Sequence, residues 1–282
     1  MHSVSSDGTW TPEELVAEGC RCALKAMALT DHDTVAGVPA MIEASAASDG
    51  PIIIPALELD SDFSPGTMHF LAYGVDIESD ILHEHLDWLR GGVEARNTDI
   101  MAKLQGMGLK ITWQDVLGDS PLQEVGRIHF ASAIKRAGYV KNKHEAFSQY
   151  LSEGRPAYAP KRKLAPLACI DLIIEAGGIP VIAHPFSVKL KRKEFHGAVA
   201  ELAEYGLEGL EVYYTQSQPS LENQMLKVVK KLGLVATGGS DFHGAVTPDV
   251  DIGKGTGNLK VPDEVLEPFL QRISNNPKSF LH

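Results

Sequence analysis

Ile179-Pro180-Val181-Ile182-Ala183-His184-Pro185 is an apolar run of strand length that stops at a histidine and a proline. The arrangement recurs along the chain. Ala26-Met27-Ala28-Leu29-Thr30 runs into Asp31-His32-Asp33, and Leu234-Val235-Ala236-Thr237 runs into Gly238-Gly239-Ser240-Asp241-Phe242-His243. Ile52-Ile53-Ile54 is followed, past Pro55, by Glu58. Met68 to Tyr73 is a further strand, with His69 inside it, and Leu207 to Tyr213 is another. Segments of helical period lie between these runs. Thr11-Pro12-Glu13-Glu14 starts one with a capping box and a proline in the first turn. Another follows Gly37, with Val38, Met41 and Ile42 on one face, and others cover Leu167–Ala176, Phe195–Tyr205 and Ser220–Leu232. Strand–helix alternation of this kind predicts an α/β fold with a parallel or mixed sheet covered by helices.

From about Ser79 to Ser152 only helical periodicity is found: Leu82-Leu86-Leu89-Val93, Ile100-Leu104, Phe130-Ile134 and Phe147-Leu151. The expected organisation is one α/β domain, 1–76 and 160–282, interrupted by an all-helical insertion, 77–159. Glu264 to His282 reads as a last amphipathic helix with a frayed tail. The 282 residues are 44% hydrophobic and 22% charged, which is globular composition and excludes disordered and fibrous classes. A net charge of −11 argues against non-specific nucleic-acid binding, which needs a basic surface. No apolar run approaches the ~18 residues of a membrane span. There is no signal-peptide h-region, and Cys20, Cys22 and Cys169 make no disulfide framework. The expectation is a cytoplasmic, reduced protein with no membrane element, and nothing in the residues points to a protein partner.

The carboxyl ends of strands in a barrel or open parallel sheet share one face, where active sites are built. His32, Glu58, His184, Asp241 and His243 are therefore expected to converge there, with His2 and Asp7 from the start of the chain. A single histidine after a strand is ordinarily a cap or a core residue. Ligand-type residues at one strand end after another are not explained that way. Imidazole with carboxylate suits Mn²⁺, Fe²⁺ or Zn²⁺ rather than Mg²⁺ or Ca²⁺, which prefer oxygen alone. The set is too large for one ion, so two or three divalent metals are expected, Mn²⁺ first, with a carboxylate as bridge. Such clusters bind phosphoryl oxygens and activate water. His83 and His85 lie on an acidic helix and His144 and His196 look like surface positions, while His282 ends the chain.

These motifs resemble the PHP family, named for polymerase and histidinol phosphatase domains. Its opening motif, Asp-Leu-His-x-His-Ser-x-x-Ser-Asp-Gly, is matched from the "x" onward by Met1-His2-Ser3-Val4-Ser5-Ser6-Asp7-Gly8. Thr30-Asp31-His32-Asp33-Thr34, Ala183-His184-Pro185 and Ser240-Asp241-Phe242-His243 match the next three motifs in order. The resemblance implies a distorted (β/α)₇ TIM-like barrel. It implies that His2, Glu58 and Asp241 hold one metal, that Glu58 bridges to a second with His69 and His184, and that Asp7, His32 and His243 hold a third. The family's first histidine and most of its first strand would precede Met1. The expectation is a start assigned one strand late, or a trimmed chain.

Val125-Gly126-Arg127-Ile128-His129-Phe130-Ala131, and Leu151 to Tyr158 read as Leu-x-x-Gly-x-Pro-x-Tyr, resemble the insertion of the branch that holds nucleoside 3′,5′-bisphosphate phosphatases and a 5′→3′ exoribonuclease. A guanidinium at a helix N-terminus is a good phosphate clamp. Arg127, His129 and Lys161 are thus the candidate phosphate-binding residues, and a small nucleotide or short RNA is the implied substrate. Two basic runs, Lys161-Arg162-Lys163 and Lys189-Leu190-Lys191-Arg192-Lys193, could focus an anion, and Tyr158, Phe186 and Phe242 could wall a base. The implied activity is removal of the 3′-phosphate of a nucleoside 3′,5′-bisphosphate by metal-bound hydroxide. Asp7, His32, Glu58 and Asp241 serve the metals in that reading, and Arg127 and His129 the phosphate. The alternatives are a 5′→3′ exoribonuclease, a histidinol phosphate phosphatase, and a non-catalytic metal-binding scaffold.

Overall fold

The computed structural model describes residues 1–118, 125–215 and 217–276. The expected terminal tail through His282 lies largely outside them. The chain divides into two compact units, Met1–His85 with Lys163–His282, and Leu86–Arg162.

The first unit is α/β. Its elements are α1 (Pro12–Arg21), β1 (Ala26–Ala28), α2 (Val38–Ser48), β2 (Ile52–Ile54), β3 (Ala56–Asp60) and β4 (His69–Tyr73). Helix α3 (Asp80–Gly106) crosses from the first unit into the second. After the second unit come α7 (Pro166–Glu175), β5 (Ile179–Ile182), α8 (Arg192–Tyr205), β6 (Gly209–Tyr214), α9 (Pro219–Leu232), β7 (Val235–Gly239) and α10 (Leu266–Ser274). The Thr11–Glu14 capping box that opens α1 is present.

β1 and β2 form a parallel pair, and β3-β4-β5-β6-β7 form a second sheet in that order. β4 is antiparallel to both β3 and β5, while β5, β6 and β7 run parallel. An isolated parallel bridge, His32 with Glu58, joins the continuation of β1 to β3.

Side-chain alternation along these strands positions the site. Ala56 on β3, Leu71 and Tyr73 on β4, Ile179 and Val181 on β5, and Val235 on β7 form one buried cluster with Phe269 and Ile273 of α10. Strand side chains repeat every two residues. Glu58 and Asp60 therefore share the face of Ala56, and His69 the face of Leu71. Asp60 pairs directly with His69 in the register. The charged groups thus occupy one end of the face whose remainder is apolar.

One expectation needs correcting here. Glu58 is not a residue that follows the Ile52–Ile54 strand; it lies in the middle of a separate strand, β3. Pro55 breaks the run, and the chain passes there from the two-stranded sheet to the five-stranded one. Gly238 and Gly239 also belong to β7 rather than to the loop after it.

The second unit holds, after α3, the helices α4 (Trp113–Leu117), α5 (Arg127–Arg136) and α6 (Lys143–Ala146), then a π-helical turn, Phe147–Leu151. Among its described residues there is no strand. Ile100, Leu104, Ile111, Phe130, Ile134 and Leu151 are buried together in a core of its own. Arg96 and Asn97 are buried as well and both donate to the carbonyl of Val125, which tethers the residues leading into α5.

Phe130 has no exposed surface, and truncating it empties the middle of that core. Phe130→Ala is expected to cost about 3–5 kcal/mol of stability. Urea denaturation checks this; a loss below about 1 kcal/mol would show that the cluster does not hold the unit together.

Candidate metal centre

The N-terminal loop carries the first two candidate ligands, and a single carboxylate shapes it. Asp31 accepts hydrogen bonds from the Ser3 amide at 2.7 Å, the Ser3 hydroxyl at 2.6 Å and the Ser6 hydroxyl at 2.5 Å. The loop is also tied through its backbone, His2 N–H to the Phe242 carbonyl and Thr30 N–H to the Met1 carbonyl. Gly8 donates to the Ser3 carbonyl, and a Cβ at Gly8 would stand 2.2 Å from the His2 carbonyl oxygen, so only glycine closes this turn. His2 and Asp7 are presented from its two ends.

Glu58 sits at the centre of what they meet. It is 2% exposed. Its Oε1 is 2.7 Å from His69 Nδ1 and 3.0 Å from His184 Nε2, and its Oε2 is 3.3 Å from His2 Nε2. His2 Nε2 is 3.1 Å from Asp241 Oδ1, and His243 Nε2 is 3.4 Å from Asp7 Oδ1. His32 Nδ1 and His69 Nε2 each lie 3.3 Å from Asp60 Oδ1. The imidazoles crowd one another: the His2 ring is 4.0 Å from that of His243 and 4.6 Å from that of His32, and the rings of His69 and His184 are 4.9 Å apart.

Three groups of ligand atoms are each compact enough for one ion: His2, Asp7, His32 and His243; His32, Glu58 and His69; and His2, Glu58 and Asp241. Among the described residues, buried His2 Nδ1 and His32 Nδ1 make no hydrogen bond of good geometry, although His32 Nδ1 lies 3.3 Å from Asp60 Oδ1. Unsatisfied buried nitrogens of this kind are costly unless something else binds them. The donor set is imidazole and carboxylate together, so the residues fit divalent metal ions.

Two histidines have their tautomers set by neighbours. Ser187 Oγ donates its proton to the Thr67 carbonyl at 2.9 Å, so toward His184 Nδ1, also at 2.9 Å, it can only accept. His184 Nδ1 therefore carries a hydrogen; without metal Nε2 is protonated too and donates to Glu58, and when that second proton leaves it is Nε2 that becomes free to ligate. His243 Nδ1 likewise donates to the Asp241 carbonyl at 2.8 Å, so Nε2, on the Asp7 side, is the nitrogen available to a metal. Fixing a ligand through its other ring nitrogen is the usual device at metal sites.

The backbone is strained where it presents these groups. Asp33, His184 and Asp241 have positive φ, at 53°, 27° and 53°. Non-glycine residues adopt this region only where the surroundings enforce it. At His184 the enforcing contact is visible: its amide donates to Oε2 of buried Glu211 at 2.6 Å. The Tyr214 hydroxyl donates to Asp241 Oδ2 at 2.9 Å.

Electrostatics follow from the crowding. Burial alone opposes the charged form of Glu58, but the charge of His32 and hydrogen bonds from His184, His2 and His69 outweigh it and hold its carboxyl well below the usual range. Burial likewise opposes ionisation of Asp7 and Asp241; His243 contacts the first and His2 the second, and both stay low. Burial also opposes protonation of His32, yet Glu58, Asp60 and Asp7 raise it well above the ordinary value. His184, opposed by burial but bonded to Glu58, is raised to about 9. Glu211 is pushed up to about 7, chiefly by burial. A field that draws protons onto imidazoles in this way attracts dications into the same space.

The structure thus brings His2, Asp7, His32, Glu58, His69, His184, Asp241 and His243 together. Arg127, His129 and Lys161 belong to the second unit. There, Arg127 and His129 lie in the first turn of α5; the Gly126 amide donates to His129 Nδ1 at 2.9 Å, and the Arg127 guanidinium lies 5.9 Å from the Tyr158 ring centre. Of the possible base-stacking rings, Phe242 is buried edge-on against Trp10, whereas Phe186 is exposed. Asp60, Asp31, Ser187 and Glu211 had no role in the reading from sequence. Two left a signal: Asp60 continues the alternation Leu57-Glu58-Leu59-Asp60, and Glu211 is a lone carboxylate inside the apolar run Leu210-Glu211-Val212.

No protein-family profile matches the chain. The chain is 29% identical over 254 residues to the 5′-3′ exoribonuclease Rnm of Salmonella typhimurium, covering 90% of this chain and 86% of that one. It is 29% identical over 255 residues to the 3′,5′-nucleoside bisphosphate phosphatase of Chromobacterium violaceum, covering 90% and 89%. Among solved structures, a protein from Bifidobacterium adolescentis assigned as a metal-dependent phosphoesterase matches with a TM-score of 0.79 at 28% identity, covering 96% of this chain and 94% of that one. The homologues are hydrolases of phosphoester bonds.

Asp31→Asn keeps the volume but sets an amide N–H₂ against one of three donors. It is expected to cost about 1–3 kcal/mol and to lower bound metal, because His2 and Asp7 lose their shared support. Metal analysis of the purified variant checks this; full metal content would show that the loop holds without Asp31. A second expectation concerns metal-free protein. A His184 pKa near 9, against 6.5 unfolded, gives stability fully present below about pH 6.5 and lost as pH rises toward 9. Melting temperature should therefore fall over that window without metal. With metal bound the fall should vanish or reverse, since ligation needs neutral imidazole. A flat metal-free profile would reject the pairing.

Proposed function

We propose, for a chain that belongs with the PHP metal-dependent phosphoesterases, hydrolysis of a nucleotide phosphate ester, the 3′-phosphate of a nucleoside 3′,5′-bisphosphate being the first candidate. The observation that carries this is Glu58, buried between His2 on one oxygen and His69 and His184 on the other. The homology to a bisphosphate phosphatase and to Rnm supports the substrate class. We read the two sheets as parts of one distorted (β/α)₇ barrel, and the helical second unit as an insertion in it.

In this reading His2, Glu58 and Asp241 hold one divalent ion, Glu58 shares a second with His69 and His184, and Asp7, His32 and His243 hold a third. Mn²⁺ is the first choice, with Fe²⁺ or Zn²⁺ as alternatives. Metals held there supply Lewis acidity to phosphoryl oxygens and lower the pKa of a water. The protein's own work is orientation. Ser187 and the Asp241 carbonyl keep two imidazoles in the ligating tautomer, and Glu211 holds the strained His184 peptide. Burial is graded: His2 and Glu58 are enclosed, while the Asp7 side chain is 48% exposed. The phosphate is therefore taken to enter from the Asp7 side. Arg127, His129 and Lys161 are carried forward as phosphate-binding residues, since a cation in the first turn of α5 suits an anion. The second reading, a 5′→3′ exoribonuclease, is favoured by the Rnm homology.

The test is phosphate release from adenosine 3′,5′-bisphosphate by Mn²⁺-loaded protein. Release is expected, along with loss of turnover in His32→Ala and Asp241→Ala and after chelation. Arg127→Ala should cost roughly 2–4 kcal/mol in kcat/KM. A His32→Ala protein with unchanged metal content and rate would reject the cluster. No release by metal-loaded wild-type protein would reject the phosphomonoesterase reading.

A further inference from the structure

Phe186 is 41% exposed, although its ring centre is 6.2 Å from that of His184 and 5.1 Å from that of Tyr214. Those contacts leave part of a large apolar ring uncovered beside a cluster of ligand-type residues. It rides on a short 3₁₀ helix, Pro185–Val188, that begins directly after His184. That turn is clamped from below. Ser187 bonds His184 and the Thr67 carbonyl, the Thr67 amide donates to the Ser187 carbonyl, and Gly66 packs so closely that a Cβ there would stand 2.2 Å from the Ser187 oxygen. The ring is therefore held at a fixed place relative to His184.

The same segment continues into Lys189, Lys191, Arg192 and Lys193, all exposed. Among the described residues none of these four side chains takes part in an ion pair. Three of them stand at the N-cap and first two positions of α8, where the helix dipole favours anions and disfavours cations. Glu194, the acidic residue there, caps the Lys191 amide instead of pairing with a cation. Helix stability does not account for three cations at this end, in a chain whose net charge is −11. An exposed aromatic face followed by unpaired cations is the surface that binds single-stranded nucleic acid, stacking a base and tracking the backbone.

We propose that Phe186 and the Lys189–Lys193 run form a subsite for the nucleotide on the 3′ side of a scissile phosphodiester, a nucleotide that a bisphosphate lacks, with its base on Phe186 and its onward phosphates along the cations. The subsite rests on the phosphoesterase reading of the centre and extends its substrates from mononucleotides to single-stranded oligonucleotides.

The experiment uses the full metal-loaded chain. Binding of a fluorescent 5′-phosphorylated pentaribonucleotide is measured by anisotropy across salt concentrations, in parallel with phosphate release from adenosine 3′,5′-bisphosphate. The variants are Phe186→Ala and the double Lys191→Glu with Lys193→Glu, which agrees with the α8 dipole and so tests binding without opposing the fold. Each is expected to weaken oligonucleotide binding about tenfold or more, with the double variant also flattening the salt dependence. Bisphosphate turnover should change less than twofold. Oligonucleotide binding that is unchanged, or that falls in step with bisphosphate turnover, overturns the subsite. If wild-type protein releases no phosphate while its oligonucleotide binding still depends on Phe186 and the two lysines, the phosphomonoesterase reading fails and the subsite stands.

Discussion

Glu58 is a carboxylate with almost no access to water, at one end of a strand face whose remainder is alanine, leucine, isoleucine, valine and tyrosine. An isolated carboxylate in that position would shed its charge. It keeps the charge because three imidazoles point at its two oxygens, and each of those imidazoles is brought by a different part of the chain: the N-terminal loop, β4 and the turn after β5. Most of the fold in the first unit can be read as the means of holding those groups against Glu58. The antiparallel placement of β4 sets His69 across from Asp60 and one step from Glu58. The parallel step from β5 to β6 puts Glu211 under the His184 peptide.

That arrangement is stable only with positive charge inside it. Protons and dications compete for the role, and they make opposite demands on the imidazoles. A proton adds charge to each ring separately, and rings 4.0 Å apart then repel. A dication leaves the rings neutral and places its charge between them, where the carboxylates already point. The hydrogen bonds that fix the His184 and His243 tautomers help only the second solution, because a doubly protonated ring needs no tautomer chosen for it.

The strand-end residues were readable from sequence because their signal is local. An apolar run followed at once by Asp-His-Asp, His-Pro or Ser-Asp-Phe-His reports both a strand and what it delivers. Glu58 was placed in the wrong element for the same reason. Pro55 looks like a terminator, yet the chain resumes a strand immediately beyond it, in a different sheet. With β3 unseen, the alternation that exposes Asp60 had no frame. Asp31 stands in the local motif Thr30-Asp31-His32-Asp33, but its task depends on Ser3 and Ser6, which lie 28 and 25 residues away. Contacts of that range carry no local pattern, and the supporting residues of a site are mostly of this kind.

The distribution of charge divides the labour between the interior and the rim. Inside, acidic residues outweigh any fixed cation, so the centre by itself would repel a phosphate. Attraction there must be supplied by what the centre binds. Outside, the four cations after Phe186 lie on a chain that is otherwise acidic, and a field built from a few local charges is short-ranged at physiological salt, on the order of 8 Å. Such a field cannot gather nucleic acid in general; it acts on a strand whose end is already engaged at the centre. An acidic protein with a short basic run beside its centre thus favours anions that reach both places at once, which is a selection by length as well as by charge.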